Sequence, residues 1–401
     1  MSYTINPDDI SSSLYPLTFR NVDATATVQQ KIEVYVGGSL SGTFKASKSS
    51  SNSTASIFDT NVQSFVQSEL APFVESKTTV FPSLGAFSIT ENTDVIKSLY
   101  CKAFAETINS SGFLVTSTSQ QLSSTCYIIP ANFYGYNYNL ADFYQPSGND
   151  FKFLTALNEQ REINENTNLY LSFLGRGNNA TEFEFFTNSG SSSVTVVDMV
   201  NSTANNSLYT ISYGAANVFG STAIFHVGNF PASSTAYSYY NVSVGRYNGA
   251  YTRLSEKIKI NLNSDCLDNI EVHWFGIHGG AESFVFKGLI EEEKRIEGDI
   301  INLSQKWNVA GGSAKANSYD KQIIRSDSKV NKSIVVTASV TNDEAEYIST
   351  LISSPEVYVV LNNKYVSVIV ENQTINTSNN RNPFIDISIK LTFANQPISQ
   401  L

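Results

Sequence analysis

Charge, methionine and cysteine are scarce in this sequence, and each shortage excludes a class of protein. Charged residues make up 15% of the 401 residues, methionine occurs twice and cysteine three times. Helical proteins are usually rich in Glu, Lys, Leu and Ala, whereas this chain abounds in Ser, Thr, Asn and aromatic residues, which predicts a mainly β protein. Aromatic residues at 12% also exclude an intrinsically disordered chain.

Three cysteines are too few for a disulfide framework. A single bridge between Cys101 and Cys126 is one alternative. Buried thiols that pack as small apolar side chains are the favoured interpretation.

Long apolar runs are absent as well. No segment approaches the roughly eighteen apolar residues that a membrane-spanning helix requires. The first residues, Met1 to Asp9, contain neither the basic region nor the apolar stretch of a signal peptide. The sequence thus predicts a soluble protein with no membrane span, synthesised in a cytoplasm.

The net charge of −10 and the pI of about 4.9 argue against nucleic-acid binding. Contacts to phosphates need clustered Lys and Arg, so no specific nucleic-acid binding is expected. An acidic wall repels phosphates, however, and would let DNA pass along a channel without adhering.

Motifs for catalysis or cofactor binding are also missing. No Walker loop, Gly-x-Ser-x-Gly elbow or His-Glu-x-x-His motif occurs. The dinucleotide-like pattern Gly175-x-Gly177-x-x-Ala180 leads into a strand-like segment, so it is interpreted as chance. Glu182 and Glu184 share one strand face, as a glycosidase pair could, but a solvated strand face is favoured. The chain is therefore expected to be no enzyme and to hold no cofactor.

The histidines offer one alternative, a zinc site. Cys266, His273 and His278 could supply three ligands, whereas zinc needs three or four ligands that converge. We favour turn and edge histidines beside a packed Trp274, and expect no metal.

Alternating segments and turn signals divide the chain into four predicted domains. Residues 1–85 form an N-terminal β-rich domain, 86–165 a second β-sandwich-like domain and 166–290 a third β-sandwich domain. Turns recur at about the spacing of fibronectin- or immunoglobulin-like sandwiches, which predicts tandem domains of that type. Residues 291–401 form an α+β unit, with a strand, a helix starting near Asp343, a hairpin and a closing strand.

A loop rich in Tyr and Asn, residues 132–140, is a candidate contact surface. Aromatic and amide side chains suit glycan or partner binding, which makes Tyr134, Tyr136 and Tyr138 candidate site residues. The alternative is that these tyrosines cover the edge of their own domain.

The most informative block is residues 266–287. Apolar residues alternate into Trp274, Gly279 and Gly280 form a turn, and a second alternating run ends at Phe286. This pattern predicts a hairpin whose aromatic face packs inward.

The same block resembles a pattern of virion structural proteins from phages and prophages of Bacteroidetes hosts. That pattern is Cys … Trp-Leu-Asn-x-x-Gly-Gly-x-Asp-x-x-x-Phe. The chain departs from it at Phe275-Gly276, which stand at Leu-Asn, and at Glu282, which stands at Asp. The matching residues form the candidate structural signature Trp274, Gly279, Gly280 and Phe286.

Two further segments resemble phage proteins. Phe153-Leu-Thr155 resembles a Leu-Thr-x-x-Pro step of the same family, without its proline. Residues 331–394 resemble the split-barrel core of distal-tail and tail-tube proteins, whose strands join a ring-spanning barrel and whose helix packs outside.

These resemblances imply a structural protein of a bacteriophage tail, as hub, distal tail or neck ring, that assembles by subunit contacts without chemistry. The implied partners are copies of itself, in a ring of three- or six-fold symmetry, and other tail or neck proteins; the implied location is the virion tail. The alternative is a tail protein that binds a host-surface glycan or receptor. A tail-borne glycan hydrolase would need a distinguishable acid pair, and a surface adhesin would need an export signal.

Overall fold

The computed structural model describes most of the chain, and the residues it describes are mainly β. They form 28 strands, three helices and a further helical turn at 63–67. None of these helices is long and apolar enough to cross a membrane. The described residues are 2–5, 10–12, 16–24, 26–51, 54–67, 83–92, 96–129, 140–143, 151–155, 160–175, 179–187, 190–196, 207–221, 229–247, 249–263, 269–286, 290–302, 307–310, 313–316, 323–354, 356–371, 375 and 383–394.

The chain divides into two compact units. The first comprises residues 1–266, 273–285 and 353–355, and the second comprises residues 267–272, 286–352 and 356–401.

The strands up to residue 286 are β1 (Ser2–Ile5), β2 (Ile10–Ser12), β3 (Thr18–Ala24), β4 (Gln29–Val36), β5 (Ser39–Ser47), β6 (Ser50–Ser51), β7 (Ala55–Asn61), β8 (Ile89–Asn92), β9 (Lys97–Ile108), β10 (Leu114–Leu122), β11 (Cys126–Ile129), β12 (Gln160–Ile163), β13 (Tyr170–Gly175), β14 (Asn179–Thr187), β15 (Gly190–Val196), β16 (Ser207–Ser212), β17 (Tyr239–Tyr247), β18 (Tyr251–Arg253), β19 (Ile258–Leu262), β20 (Ile270–Phe275) and β21 (Ala281–Phe286). Two single-turn helices accompany them, α1 (Leu140–Phe143) and α2 (Ala215–Val218). The remaining elements are β22 (Ile290–Asn302), β23 (Trp307–Ala310), β24 (Ser313–Ala316), β25 (Ile323–Thr341), α3 (Asn342–Ile352), β26 (Val357–Leu361), β27 (Lys364–Val370) and β28 (Phe384–Phe393).

Two sheets near the start of the first unit enclose one core. Their strand orders are β1-β3-β7-β6 and β2-β11-β9-β4-β5, and β10 also pairs with β9. Alternate residues of β3 and β4 are buried, so Phe19, Ile32 and Leu99 from both sheets share the same apolar interior. The sheet crosses the boundary predicted at residue 85, because β4 pairs with β9. Alternation marks a strand and its inward face but does not identify its partner.

Two cysteines lie inside this core. Cys101 and Cys126 are both buried and form no disulfide, and the Cys126 thiol donates to the Leu99 carbonyl oxygen at 3.6 Å. Burial raises the pKa of the Cys101 thiol. These thiols therefore pack as small apolar side chains, as the sequence predicts, whereas Cys266 lies outside the described residues.

A second pair of sheets in the same unit encloses an aromatic core. The strand orders are β13-β16-β8 and β12-β19-β17-β14-β15, with β18 paired to β17. Phe173 and Tyr209 of the smaller sheet and Phe183 and Tyr240 of the larger sheet belong to one buried cluster. β13 and β16 are buried along their whole length. β8, from the second predicted segment, pairs with β16 and so also crosses a predicted boundary.

The second unit contains the predicted succession of strand, helix, hairpin and strand. Five of its strands pair in the order β26-β27-β28-β25-β22, and β23 pairs with β24. Thr341 and Glu344 cap α3 reciprocally, since the Glu344 N–H donates to Thr341 Oγ1 at 3.3 Å and the Thr341 N–H donates to Glu344 Oε2 at 2.9 Å. Asn362 and Asn363 both have positive φ, as a two-residue hairpin turn requires.

Candidate functional site

The hairpin that contains Trp274, Gly279, Gly280 and Phe286 consists of β20 and β21, joined by a turn at residues 276–280. The Gly279 N–H donates to the Gly276 carbonyl oxygen at 3.0 Å, and the Gly276 N–H donates to the Gly280 carbonyl oxygen at 2.8 Å. Gly279 has a φ of +82°, in the left-handed region that favours glycine. Trp274 and Phe286 are fully buried, in agreement with the predicted inward aromatic face.

Gly280 is required for a different reason, the close approach of neighbouring atoms. A Cβ at this position would lie 2.7 Å from Ser172 Cβ and 2.9 Å from the Leu154 carbonyl oxygen. Neither neighbour is the end of a flexible side chain, so neither can move aside cheaply. Only glycine therefore lets the turn lie directly against β13 and the Leu154 backbone.

Residues 153–155 meet the hairpin at this turn. Thr155 Oγ1 donates to Glu282 Oε2 at 2.9 Å, although the two residues are 127 positions apart. Ser172 links both segments, because its carbonyl oxygen accepts from the Leu154 N–H at 2.8 Å and its Oγ accepts from the Ala281 N–H at 3.0 Å. All of these side chains are buried. We call this group the glycine-hairpin cluster: Leu154, Thr155, Ser172, Gly280, Ala281 and Glu282.

Both histidines of the hairpin are buried against aromatic rings. The His273 ring lies 5.3 Å from the Tyr170 ring, and the His278 ring stacks on Phe143 at 5.3 Å and 24°. His278 lies in the turn as predicted, but His273 is fully buried within β20 rather than at an edge. Among the described residues no group of three His, Cys, Asp or Glu side chains could hold a metal ion.

His278 should make stability depend on pH. Burial lowers its pKa from the ordinary 6.5 to about 4, so the unfolded state binds more protons between these values. Stability is then complete above about pH 6.5 and falls as the pH drops, by about 2 kcal/mol between pH 6.5 and 5. The free energy of unfolding, measured with denaturant at each pH across this range, should depend less steeply on pH for His278→Gln than for the unchanged protein. Equal slopes would contradict the assignment.

The predicted contact residues Tyr134, Tyr136 and Tyr138 lie outside the described residues, so their role stays a prediction. The same holds for any zinc ligand at Cys266. Sequence reasoning missed Ser172; the available signal was a single polar residue within the otherwise apolar run of residues 169–174, where buried polar groups need hydrogen-bond partners.

Glu182 and Glu184 lie on the outer face of β14, as predicted, with buried Phe183 between them. Lys257 Nζ lies 2.7 Å from Glu184 Oε2, and Asn241 Nδ2 donates to the same oxygen at 3.3 Å. Burial, and then the neighbouring Glu184 carboxylate, raise the pKa of Glu182. The pair thus consists of one ion-paired carboxylate and one half-buried carboxyl that can bind hydroxyl groups.

Aromatic rings continue this outer face. Phe186 and Tyr239 stack across β14 and β17 with ring centroids 4.5 Å apart, and Lys259 Nζ lies 4.4 Å from the Tyr239 centroid. Tyr251 OH and Ser243 Oγ are hydrogen-bonded at 3.0 Å, and burial raises the pKa of Tyr251. The face therefore combines carboxyl, amide, hydroxyl and aromatic groups.

Comparison with known proteins assigns no family. No protein-family model matches the chain, and no curated protein matches it. The functional interpretation therefore depends on the geometry described above and on the resemblance of short segments given under the sequence analysis.

Proposed function

We propose that this chain is a structural virion protein of a bacteriophage tail, as hub, distal tail or neck ring, that assembles through contacts between subunits. One observation carries the proposal: two segments that resemble the same phage family form one buried junction. Gly280 is fixed by close approach to Leu154, and Glu282 accepts a hydrogen bond from Thr155. The residues on which the resemblance rests are thus in direct contact with each other.

The second unit supports the same proposal. β25, α3, the hairpin of β26 and β27, and β28 follow each other in the order of the split barrel of distal-tail and tail-tube proteins. On this proposal residues 291–401 form the ring-building domain, and the paired sheets of the first unit are fibronectin- or immunoglobulin-like sandwiches. The same order of elements occurs in unrelated α+β domains, so the second unit supports the proposal but does not carry it.

The proposal assigns no chemical step to the chain. A hydrolase would use Glu182 and Glu184 as its acid pair, but the Glu184 carboxylate forms an ion pair with Lys257. The proposed partners are other copies in a three- or six-fold ring and neighbouring tail or neck proteins.

Cryo-electron microscopy of purified phage particles that encode this chain tests the proposal. The expected result is a closed ring on the tail axis, with residues 331–394 facing the channel. Density confined to the periphery or to fibres would move the assignment to receptor binding. Absence of the chain from purified particles, checked by mass spectrometry, would reject the virion role.

A second candidate function is binding of a host-surface glycan. The observation that favours it is the outer face of β14 and β17, where Glu182, Asn241 and Tyr239 offer the carboxyl, amide and aromatic groups that sugars engage. Glycan arrays with the full chain test it. Loss of binding in Glu182→Gln would place the glycan on this face, and loss only in the triple alanine variant of Tyr134, Tyr136 and Tyr138 would place it on the tyrosine loop.

A further inference from the structure

A hairpin of the first unit exposes an unusual concentration of apolar side chains. Among the described residues nine large hydrophobic side chains are exposed. Five of them lie between residues 108 and 122, in the hairpin of β9 and β10. Seven of the nine residues of β10 are exposed. The five apolar residues are Ile108, Phe113, Leu114, Val115 and Leu122.

The tip of this hairpin has a defined conformation. Asn109 Oδ1 accepts hydrogen bonds from the N–H groups of Ser111 at 3.0 Å and Phe113 at 2.9 Å. The Asn109 N–H donates to the Phe113 carbonyl oxygen at 2.9 Å, and Gly112 takes a φ of +81°. The exposed apolar residues are thus presented on a preorganised turn, which lowers the entropic cost of binding.

The outer edge of β10 has no strand partner among the described residues. β10 pairs only with β9, in the register Val115–Thr107 and Gln121–Ala103. The Cys101 carbonyl oxygen accepts from the Ser123 N–H on this side of β9, whereas the Glu106 carbonyl oxygen accepts from the Val28 N–H on the side of β4. Odd-numbered residues of β9 therefore face β10, and by alternation Val115 and Gln121 face β9.

The even-numbered residues of β10 consequently direct their backbone groups outward. These residues are Leu114, Thr116, Gln120 and Leu122. The register shift of β10 falls between Thr116 and Gln120, so it is centred on Thr118. Leu114 and Thr116 on one side of this residue, and Leu122 and Gln120 on the other, lie at equal distances from it along the chain and direct their backbone groups outward.

We propose that β10 is an edge at which two copies of the chain join in an antiparallel, two-fold symmetric sheet. With the axis at Thr118, Leu114 of one copy lies opposite Leu122 of the other, and Thr116 lies opposite Gln120. Outward-directed groups then meet outward-directed groups, so the interstrand hydrogen bonds can form. The two Leu114–Leu122 contacts bury apolar side chains that are exposed in one copy.

Charge decides between a second copy and a different partner. The chain carries a net charge of −10, yet residues 107–125 contain no charged residue. Edge strands are usually protected from pairing by Lys, other charges, Pro or a β-bulge. β10 contains no charged residue and no Pro, and its register shift lies between Thr116 and Gln120, so the two segments that would pair lie on either side of it. A basic partner would bind where this chain presents acidic residues. Two copies of the chain are both acidic, so they can approach each other only through an uncharged surface. The inference does not depend on the virion role.

Sedimentation velocity of the full chain, over a concentration series up to about 100 μM, is the first test. The unchanged protein should form a dimer, and Leu122→Lys should weaken the dimer at least about tenfold, because two unpaired charges enter the contact. Leu40→Lys is the matched control, since Leu40 is 54% exposed and Leu122 is 58% exposed in the same unit. A monomer at every concentration, or equal weakening by both variants, would overturn the proposal.

Cross-linking gives a second and independent readout. Thr118 lies on the proposed axis, so Thr118→Cys should form a disulfide-linked dimer on mild oxidation. Exposed Ser124, just beyond β10, provides the control Ser124→Cys, which should remain largely uncoupled. Equal coupling of both variants would exclude the two-fold register. Presence of the chain in phage particles is measured separately, so failure of the dimer and failure of the virion role are distinguishable.

Discussion

Gly280→Ala should destabilise the first unit by about 3 kcal/mol. The added methyl group would lie 2.7 Å from Ser172 Cβ and 2.9 Å from the Leu154 carbonyl oxygen, in a buried junction between backbones. Relief requires moving β21 away from β13, which would lengthen the hydrogen bond from the Ala281 N–H to Ser172 Oγ. Denaturant unfolding of both proteins gives the difference in free energy directly.

Gly190→Ala is the matched control for this substitution. Gly190 begins β15, and an added Cβ there would have no atom within 4 Å. Its φ is outside the positive range, so alanine should be tolerated within about 0.5 kcal/mol. If the two variants lose similar amounts of stability, Gly280 is not held by close approach and the junction is looser than the geometry indicates.

Local sequence patterns predict strands and turns in this chain but not the partners of the strands. The hairpin predicted within residues 266–287, with its turn at Gly279 and Gly280, is confirmed over its described residues. The predicted boundary at residue 85 does not separate the sheets, because β4 pairs with β9 and β8 pairs with β16. Alternation depends on which face of a strand is buried, whereas pairing depends on contacts between distant segments that periodicity does not record.

In the candidate site, too, local features are predictable from the sequence whereas contacts between distant segments are not. The sequence identifies Gly280 as a turn residue, but its physical requirement comes from Ser172 and Leu154, more than a hundred positions earlier. His273 is predicted at an edge and is instead fully buried beside Tyr170, since a histidine in an aromatic strand can pack as a ring. The candidate structural signature therefore lies in the interior, and surface contacts must come from other residues.

Coupling between Thr155 and Glu282 should be large enough to measure, at about 1.5 kcal/mol. Thr155→Val removes the hydroxyl group with little change of shape. Glu282→Met removes the acceptor and keeps an unbranched Cγ, which matters because Gly276 packs directly against the Glu282 side chain. Each single variant should lose about 2 kcal/mol of unfolding free energy, since a buried polar group is left without this hydrogen bond. The double variant should lose less than the sum.

A matched cycle makes this result specific. Glu184 is another acidic residue of the first unit, half-buried rather than fully buried, and its carboxylate pairs with Lys257 and not with Thr155. Thr155→Val and Glu184→Met should therefore act additively within about 0.5 kcal/mol. Additivity in both cycles would mean that the 2.9 Å contact does not join the two phage-like segments energetically, and the main support for the virion proposal would be lost. Coupling only in the Glu282 cycle would show that segments 127 residues apart act as one element, as a shared structural signature requires.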